Sequence, residues 1–351
     1  MTSGYTKANT INLSAPASAV SFGPENKVAV GSIDGSLRLY DLPSTKVAKA
    51  ITKLGDEVAS IAWESPSSNN LWIASGITAF LFDLEVPKMI LSPDDDAALS
   101  VPLGEDEEDV LNELSISPST KSLAFASDNG SVGVMNLVTR EVSRMKKQHG
   151  SICSSVKFIP DRPTELVSGG YDSGLLHFDF VQRNVLSSFD ITATPTENAV
   201  SLSPPFILST AVSSTGLIAA STADGRLWLG TGGDKSHPSN SKPGKKRTRK
   251  WEGLRAEDGL FVQVAEGPVV ACAFVNDQTL VTSTLLGKLA QQSISYKPAG
   301  ALQVHTTWNA EVSVVAKVNA LSVNGRYLLV GGISKDHKGA VEIWSSTQNS
   351  G

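Results

Sequence analysis

The sequence predicts an all-β chain folded as a single seven-bladed β-propeller, and three observations carry that prediction. A pattern of apolar run, turn with Asp or Asn near Gly, and second apolar run recurs along the chain. Period-two alternation of apolar residues precedes each copy, as in a strand with one packed face. The copies recur at about 44 residues, the length of one four-stranded propeller blade.

Five copies are clear: "VAVGSIDGSLRLYDL" (28–42), "LAFASDNGSVGVMNL" (123–137), "LVSGGYDSGLLHFDF" (166–180), "IAASTADGRLWLG" (218–230) and "LVGGISKDHKGAVEIW" (329–344). Two weaker ones, "LWIASGITAFLFDL" (71–84) and "LVTSTLLGKLAQQS" (280–293), complete seven. Each reads as second strand, turn, third strand. The alternating runs ahead of them, such as "AVSFGP" and "ICSSVKFIP", supply innermost strands that stop at proline or a polar turn. The fourth strands are assigned to "KVAKAI", "KMILSP", "EVSRM" and "NVLSSF". Seven blades account for about 308 residues and leave about 43 for insertions and ends. The last copy supplies only three strands, so "NTINLSAP" (9–16) is expected to close the ring as its fourth. An open ring would expose two sheet edges.

The 351 residues are 40% hydrophobic and 19% charged, with net charge −5. That is a globular composition with no general excess of positive charge for coating nucleic acid. No apolar run reaches bilayer length, so no membrane contact is expected. The opening "MTSGYTKANTINLSAP" has no basic segment followed by an apolar one, so the expected location is nucleus or cytoplasm without secretion. Cys153 and Cys272 each lie in an alternating apolar stretch and read as core thiols. Five histidines and two cysteines show no metal-ligand spacing, and no cofactor is expected. "GTGGDKS" (230–236) departs from a phosphate loop, because Asp234 separates Gly233 from Lys235 and a helix-breaking stretch follows.

The repeat resembles the WD-repeat propeller in degenerate form. Tyr40-Asp41, Phe82-Asp83, Met135-Asn136 and Phe178-Asp179 stand where the repeat has Trp-Asp, and only Trp344 restores the tryptophan. The wording of blades two to four is similar to the family of WD-repeat-containing protein fifty-three. It is carried by "LGDEVASIAW", "EDEEDVLNELSIS" and above all "HGSICSSVKFIPDRPTELVSGGYDSG". The resemblance implies a structural hydrogen-bond set in blade four at His149, Ser168, Asp172 and Phe178, with the relay stopping at Ser168 because Phe178 donates nothing. A catalytic reading of the same residues would need an exposed hydroxyl and an oxyanion site, whereas Ser168 falls inside a strand. No catalytic residue is assigned, and the chain reads as a non-enzymatic interaction scaffold.

The resemblance also implies a substrate receptor for a cullin-4 ubiquitin ligase, docking through that ligase's adaptor by an arginine two residues after the Asp. Those positions here are Pro43, Glu85, Val138 and Val181; Arg140 and Arg183 lie two residues further on. Among turn residues between second and third strands (Ile33, Asn129, Tyr171, Thr222 and Leu285), Tyr171 is the first candidate to meet a partner, with packing on the neighbouring turn as the alternative. Partners are expected to be proteins on the faces of a monomeric propeller.

Two charge runs interrupt the repeat. Residues 94–109 hold eight carboxylates and no base, read as an acidic loop insertion; 232–252 are read as a basic disordered loop insertion. Within the latter, Lys245, Lys246, Arg247, Arg249 and Lys250 are candidates for nuclear targeting. Direct nucleic-acid binding through 235–250, in a nuclear RNA- or ribosome-assembly accessory protein, is the alternative function. The two runs are expected on opposite faces.

Overall fold

The alternating patterns form seven sheets arranged as a ring in the computed structural model, which describes residues 4–193, 203–230, 254, 259–297 and 301–347. Each innermost strand touches the innermost strands of both neighbouring blades, so the ring is continuous. These strands are Ala17–Phe22, Val58–Trp63, Leu111–Ile116, Cys153–Phe158, Ile207–Val212, Val269–Asn276 and Val315–Val323. Because side chains of a strand alternate between faces, every blade is apolar on both and packs against both neighbours. The core accordingly divides into seven apolar clusters, one between each adjacent pair of blades.

The innermost strands share a device that the sequence did not announce. All seven carry a register shift at their second residue, for example between Ala17 and Ala19 and between Cys153 and Ser155. A bulge bends and twists a strand, which suits the narrow centre of the ring. In three blades the bulged side chain bonds the first carbonyl of the next innermost strand: Ser18 Oγ to Val58 O (2.8 Å), Asn112 Nδ2 to Cys153 O (3.0 Å) and Ser154 Oγ to Ile207 O (2.7 Å). A second irregularity in blade seven places Asn319, whose Nδ2 donates to Ala17 O at 2.9 Å and joins the last blade to the first.

Closure is completed at the rim. The N-terminal strand Tyr5–Leu13 pairs antiparallel with Gly339–Ser346, from Tyr5 opposite Ser346 to Leu13 opposite Gly339. It begins earlier than the alternation at 9–16 suggests, because Tyr5 is buried edge-on against Trp308 of blade six, with ring centroids 5.7 Å apart.

Blade two corrects two expectations. Its outer strand is Ala97–Pro102, not "KMILSP"; Ile90–Leu91 instead adds a short parallel strand outside Val47–Ile51 of blade one. The acidic stretch 94–109 is therefore not simply a loop insertion: it holds the end of a helical turn (Pro93–Asp96), a strand and a compact turn. The physical reason is the alternation of Ala97, Leu99 and Val101 hidden between charges, with Leu91 and Leu103 fully buried beside it.

That strand also divides the run between faces. The upper face carries the turns between second and third strands and the connections leading into each innermost strand; the lower face carries the other connections. Glu105–Asp109 lie on the upper face, whereas Asp94–Asp96 belong to the third-to-outer connection of blade two on the lower face. The basic run 235–250 lies outside the described residues, but the strand ends bordering it, Gly230 and Gly259, are on the lower face too. The acidic run is thus divided between the two faces.

Candidate functional site

Blade four consists of Cys153–Phe158, Glu165–Gly170, Gly174–Asp179 and Asn184–Asp190. On its upper face the connection from blade three brings His149 over the turn at Tyr171–Ser173. His149 Nδ1 is 2.9 Å from Asp172 Oδ1, and its Nε2 is 2.8 Å from Ser168 Oγ. With Asp172 as the acceptor, Nδ1 carries the proton and Ser168 donates to Nε2. Gly150 N and Gly174 N also donate to Asp172, at 2.9 and 3.1 Å. Burial alone would raise the Asp172 carboxyl, but the His149 bond and these amides outweigh it and hold it at about 2. Gly170 is required here, since a Cβ would meet His149 Nδ1 at 2.6 Å. Phe178 is fully buried between blades three and four and makes no part of this chain of bonds.

Ser168 and His149 are both buried, so no substrate reaches the hydroxyl. A second Ser–His–carboxylate set, which the sequence did not suggest, lies on the side of the same blade. His177 Nδ1 is 3.2 Å from Ser187 Oγ and its Nε2 is 3.0 Å from Glu165 Oε2. Burial, helped by Arg162, pushes His177 down to about 3, which makes it a poor proton acceptor for Ser187. Ser187 Oγ also accepts the Leu254 amide at 2.9 Å. No group of three or more potential metal ligands occurs among the described residues.

Tyr171 is half-buried in the upper turn of blade four. Its ring stacks on Phe206 of the neighbouring connection, with centroids 5.6 Å apart and planes 14° from parallel, and burial raises its hydroxyl pKa. One apolar ring covering another removes more surface from water than a free ring would. Of the other upper turn residues, Thr222 is buried and Leu286, rather than Leu285, is the exposed leucine.

The lower face presents the more accessible arrangement. The third strands of blades three and four end in Asn136, which replaces the repeat's Asp, and Asp179, which keeps it. Asn136 Oδ1 accepts from the amides of Val138 (2.8 Å) and Thr139 (3.0 Å). Asp179 Oδ1 accepts from those of Val181 (2.9 Å) and Gln182 (2.8 Å). Both turns end in an arginine with left-handed backbone, Arg140 at φ 66° and Arg183 at φ 60°. Each therefore shows an exposed valine and an exposed arginine side by side; Val138 is 76% and Val181 66% exposed. Lys146 N donates to Arg183 O (3.1 Å), tying the outer edge of blade three to the blade-four turn. Nothing in the sequence beyond the paired strings "NLVTR" and "DFVQR" signals this twin arrangement.

Lys245, Lys246, Arg247, Arg249 and Lys250, and all of "GTGGDKS" except Gly230, lie outside the described residues. No described helix is long and apolar enough to cross a membrane.

No family model matches the chain. It is similar to the WD repeat-containing protein 53 homolog of Dictyostelium discoideum, at 25% identity over 219 residues, an alignment covering 57% of this chain and 57% of that protein. The seven-bladed ring, its degenerate Trp-Asp positions and this similarity together make the chain a β-propeller consistent with WD repeats.

Proposed function

We propose that the protein is a non-catalytic interaction scaffold that docks a partner on the lower turns of blades three and four. The observation that carries this reading is the twin pair Val138/Arg140 and Val181/Arg183. Two exposed arginines on rigid, side-chain-capped turns, with no partner among the described residues, offer the guanidinium groups in which binding hot spots are enriched, and each exposed valine adds apolar surface beside them. A propeller supplies rigidity and leaves its turns to vary, and WD-type propellers are generally interaction modules.

The finer reading is a substrate receptor of a cullin-4 ubiquitin ligase, in which Arg140 and Arg183 serve in place of the arginine missing two residues after Asn136 and Asp179. Left-handed backbone at both arginines changes the path of the turn, which supports a displaced position for the side chain. The test is capture of the purified adaptor by the tagged protein and by Arg140→Glu/Arg183→Glu. Retention by the first and loss of at least tenfold affinity by the second support the reading. Failure of the unaltered protein to bind removes it. Recovery of RNA that depends on Lys245, Lys246, Arg247, Arg249 and Lys250 and falls steeply with salt would favour the nuclear accessory reading instead.

A further inference from the structure

A buried carboxylate sits at the seam where the ring closes. Glu342, on the third strand of blade seven, is fully buried. Its Oε1 accepts from the amides of Ser313 (2.7 Å), Val314 (2.6 Å) and Val315 (3.3 Å), in the connection between blades six and seven. Its Oε2 is also buried and accepts nothing among the described residues. Three amide dipoles on one oxygen do not cancel a full charge taken out of water. Among the described residues a single ion pair reaches it: Lys7 Nζ, 3.6 Å from Oε1 and also 2.6 Å from Ser313 Oγ.

Lys7 belongs to the closing strand Tyr5–Leu13, at a register shift between Lys7 and Asn9. Its side chain reaches the connection between blades six and seven, where it meets Ser313 and Glu342. One cation therefore bridges the two ends of the ring, and the Lys7 side chain is 29% exposed. We propose that Lys7 and Glu342 form a charge latch holding the ring shut, and that acylation of the Lys7 amine releases the closing strand. In that step the deprotonated amine attacks the carbonyl of an acyl thioester; the C–N bond forms, the C–S bond breaks, and the thiol departs. The product is a neutral amide, and Glu342 is left buried without a countercharge. Strand Tyr5–Leu13 is the outermost of its blade, so loss of the pair raises the frequency of its local opening, against the burial of Tyr5, Ile11 and Leu13.

The proposal stands apart from the docking reading, because blades three and four are not involved. Its test is hydrogen–deuterium exchange over residues 5–13 and 339–346 in full-length protein. Lys7→Gln, and protein carrying acetyl-lysine at position 7, should speed exchange of 5–13 about tenfold. Lys7→Arg, which keeps the charge, should stay within about twofold of the unaltered protein. In a Glu342→Gln background the further change Lys7→Gln should add little, because no charge remains to be neutralised. Equal acceleration by Lys7→Gln with and without Glu342 would overturn the latch, as would unchanged exchange in the acetylated protein. Should Glu342→Gln fail to fold, the contrast between Lys7→Arg and Lys7→Gln decides, and equal exchange in those two overturns it.

Discussion

Blades three and four solve the same problem on the upper face with opposite chemistry. In each, the connection entering the blade must be tied to the turn between second and third strands. Blade four uses an imidazole ring from the connection, His149, against a carboxylate in the turn, Asp172. Blade three reverses the polarity: the buried carboxylate of Asp109 comes from the connection, accepting the Asn129 amide of the turn at 3.0 Å and the Glu105 amide at 2.9 Å. Glu105 adds a second grip, accepting from Ser131 Oγ (2.8 Å) and Gln148 Nε2 (3.0 Å). The geometry of the ring demands a tie at this place but not a particular side chain, since any donor–acceptor pair that leaves no buried group unpaired will serve. Part of the acidic run is thus structural, and the hydrogen-bond set of blade four is one solution among several.

Deleting each tie in turn measures what it holds. His149→Ala should cost the most, about 3 kcal/mol, because it leaves both Asp172 and Ser168 without their partner and opens a cavity. Urea denaturation measures it, and a loss near zero would mean the relay holds nothing. Asp109→Ala should cost about 2 kcal/mol by the same measurement, since the two amides it frees lie nearer solvent.

A pH series separates the two ties further. Asp172 is held at about 2 in the folded protein, below its unfolded value of about 3.9, so its contribution is present above pH 4 and lost as pH falls through 2. The stability gap between the unaltered protein and Asp172→Asn should be about 2 kcal/mol near neutral pH and should close between about pH 4 and pH 2. A gap that persists at pH 2 would show that the charge of Asp172 is not what matters.

The smallest effect is expected on the lower face and has the opposite sign. Arg140→Gly and Arg183→Gly relieve left-handed backbone and should each stabilise by about 0.5–1 kcal/mol, while removing the proposed docking charge. Stabilisation joined to loss of partner capture would separate binding from folding. Destabilisation would show that the arginine stems pack.

Some of this was legible from residue order. Gly35, Gly130 and Gly225 all take left-handed backbone in the turns where the repeat placed them. Closure by the N-terminus could be anticipated because Ile11 and Leu13 alternate and the last copy lacks a strand. The outer strand of blade two is not legible in the same way, because "AALSVP" has small residues and is flanked by carboxylates that suggest a loop. The ring that packs on Tyr171 is not legible for a different reason: Phe206 is 35 positions away in sequence and meets it only across a blade boundary.

By itself the sequence determined the number of blades, their strand order and the need for closure, because alternation and turn chemistry are local properties that a strand or turn must satisfy on its own. The tertiary structure alone decided which polar groups meet. The pairs His149–Asp172, Asp109–Asn129 and Lys7–Glu342 are separated by 23, 20 and 335 positions, and ring closure brings the last of them together. A buried charge depends on whatever stands beside it in space, and only packing fixes that neighbour.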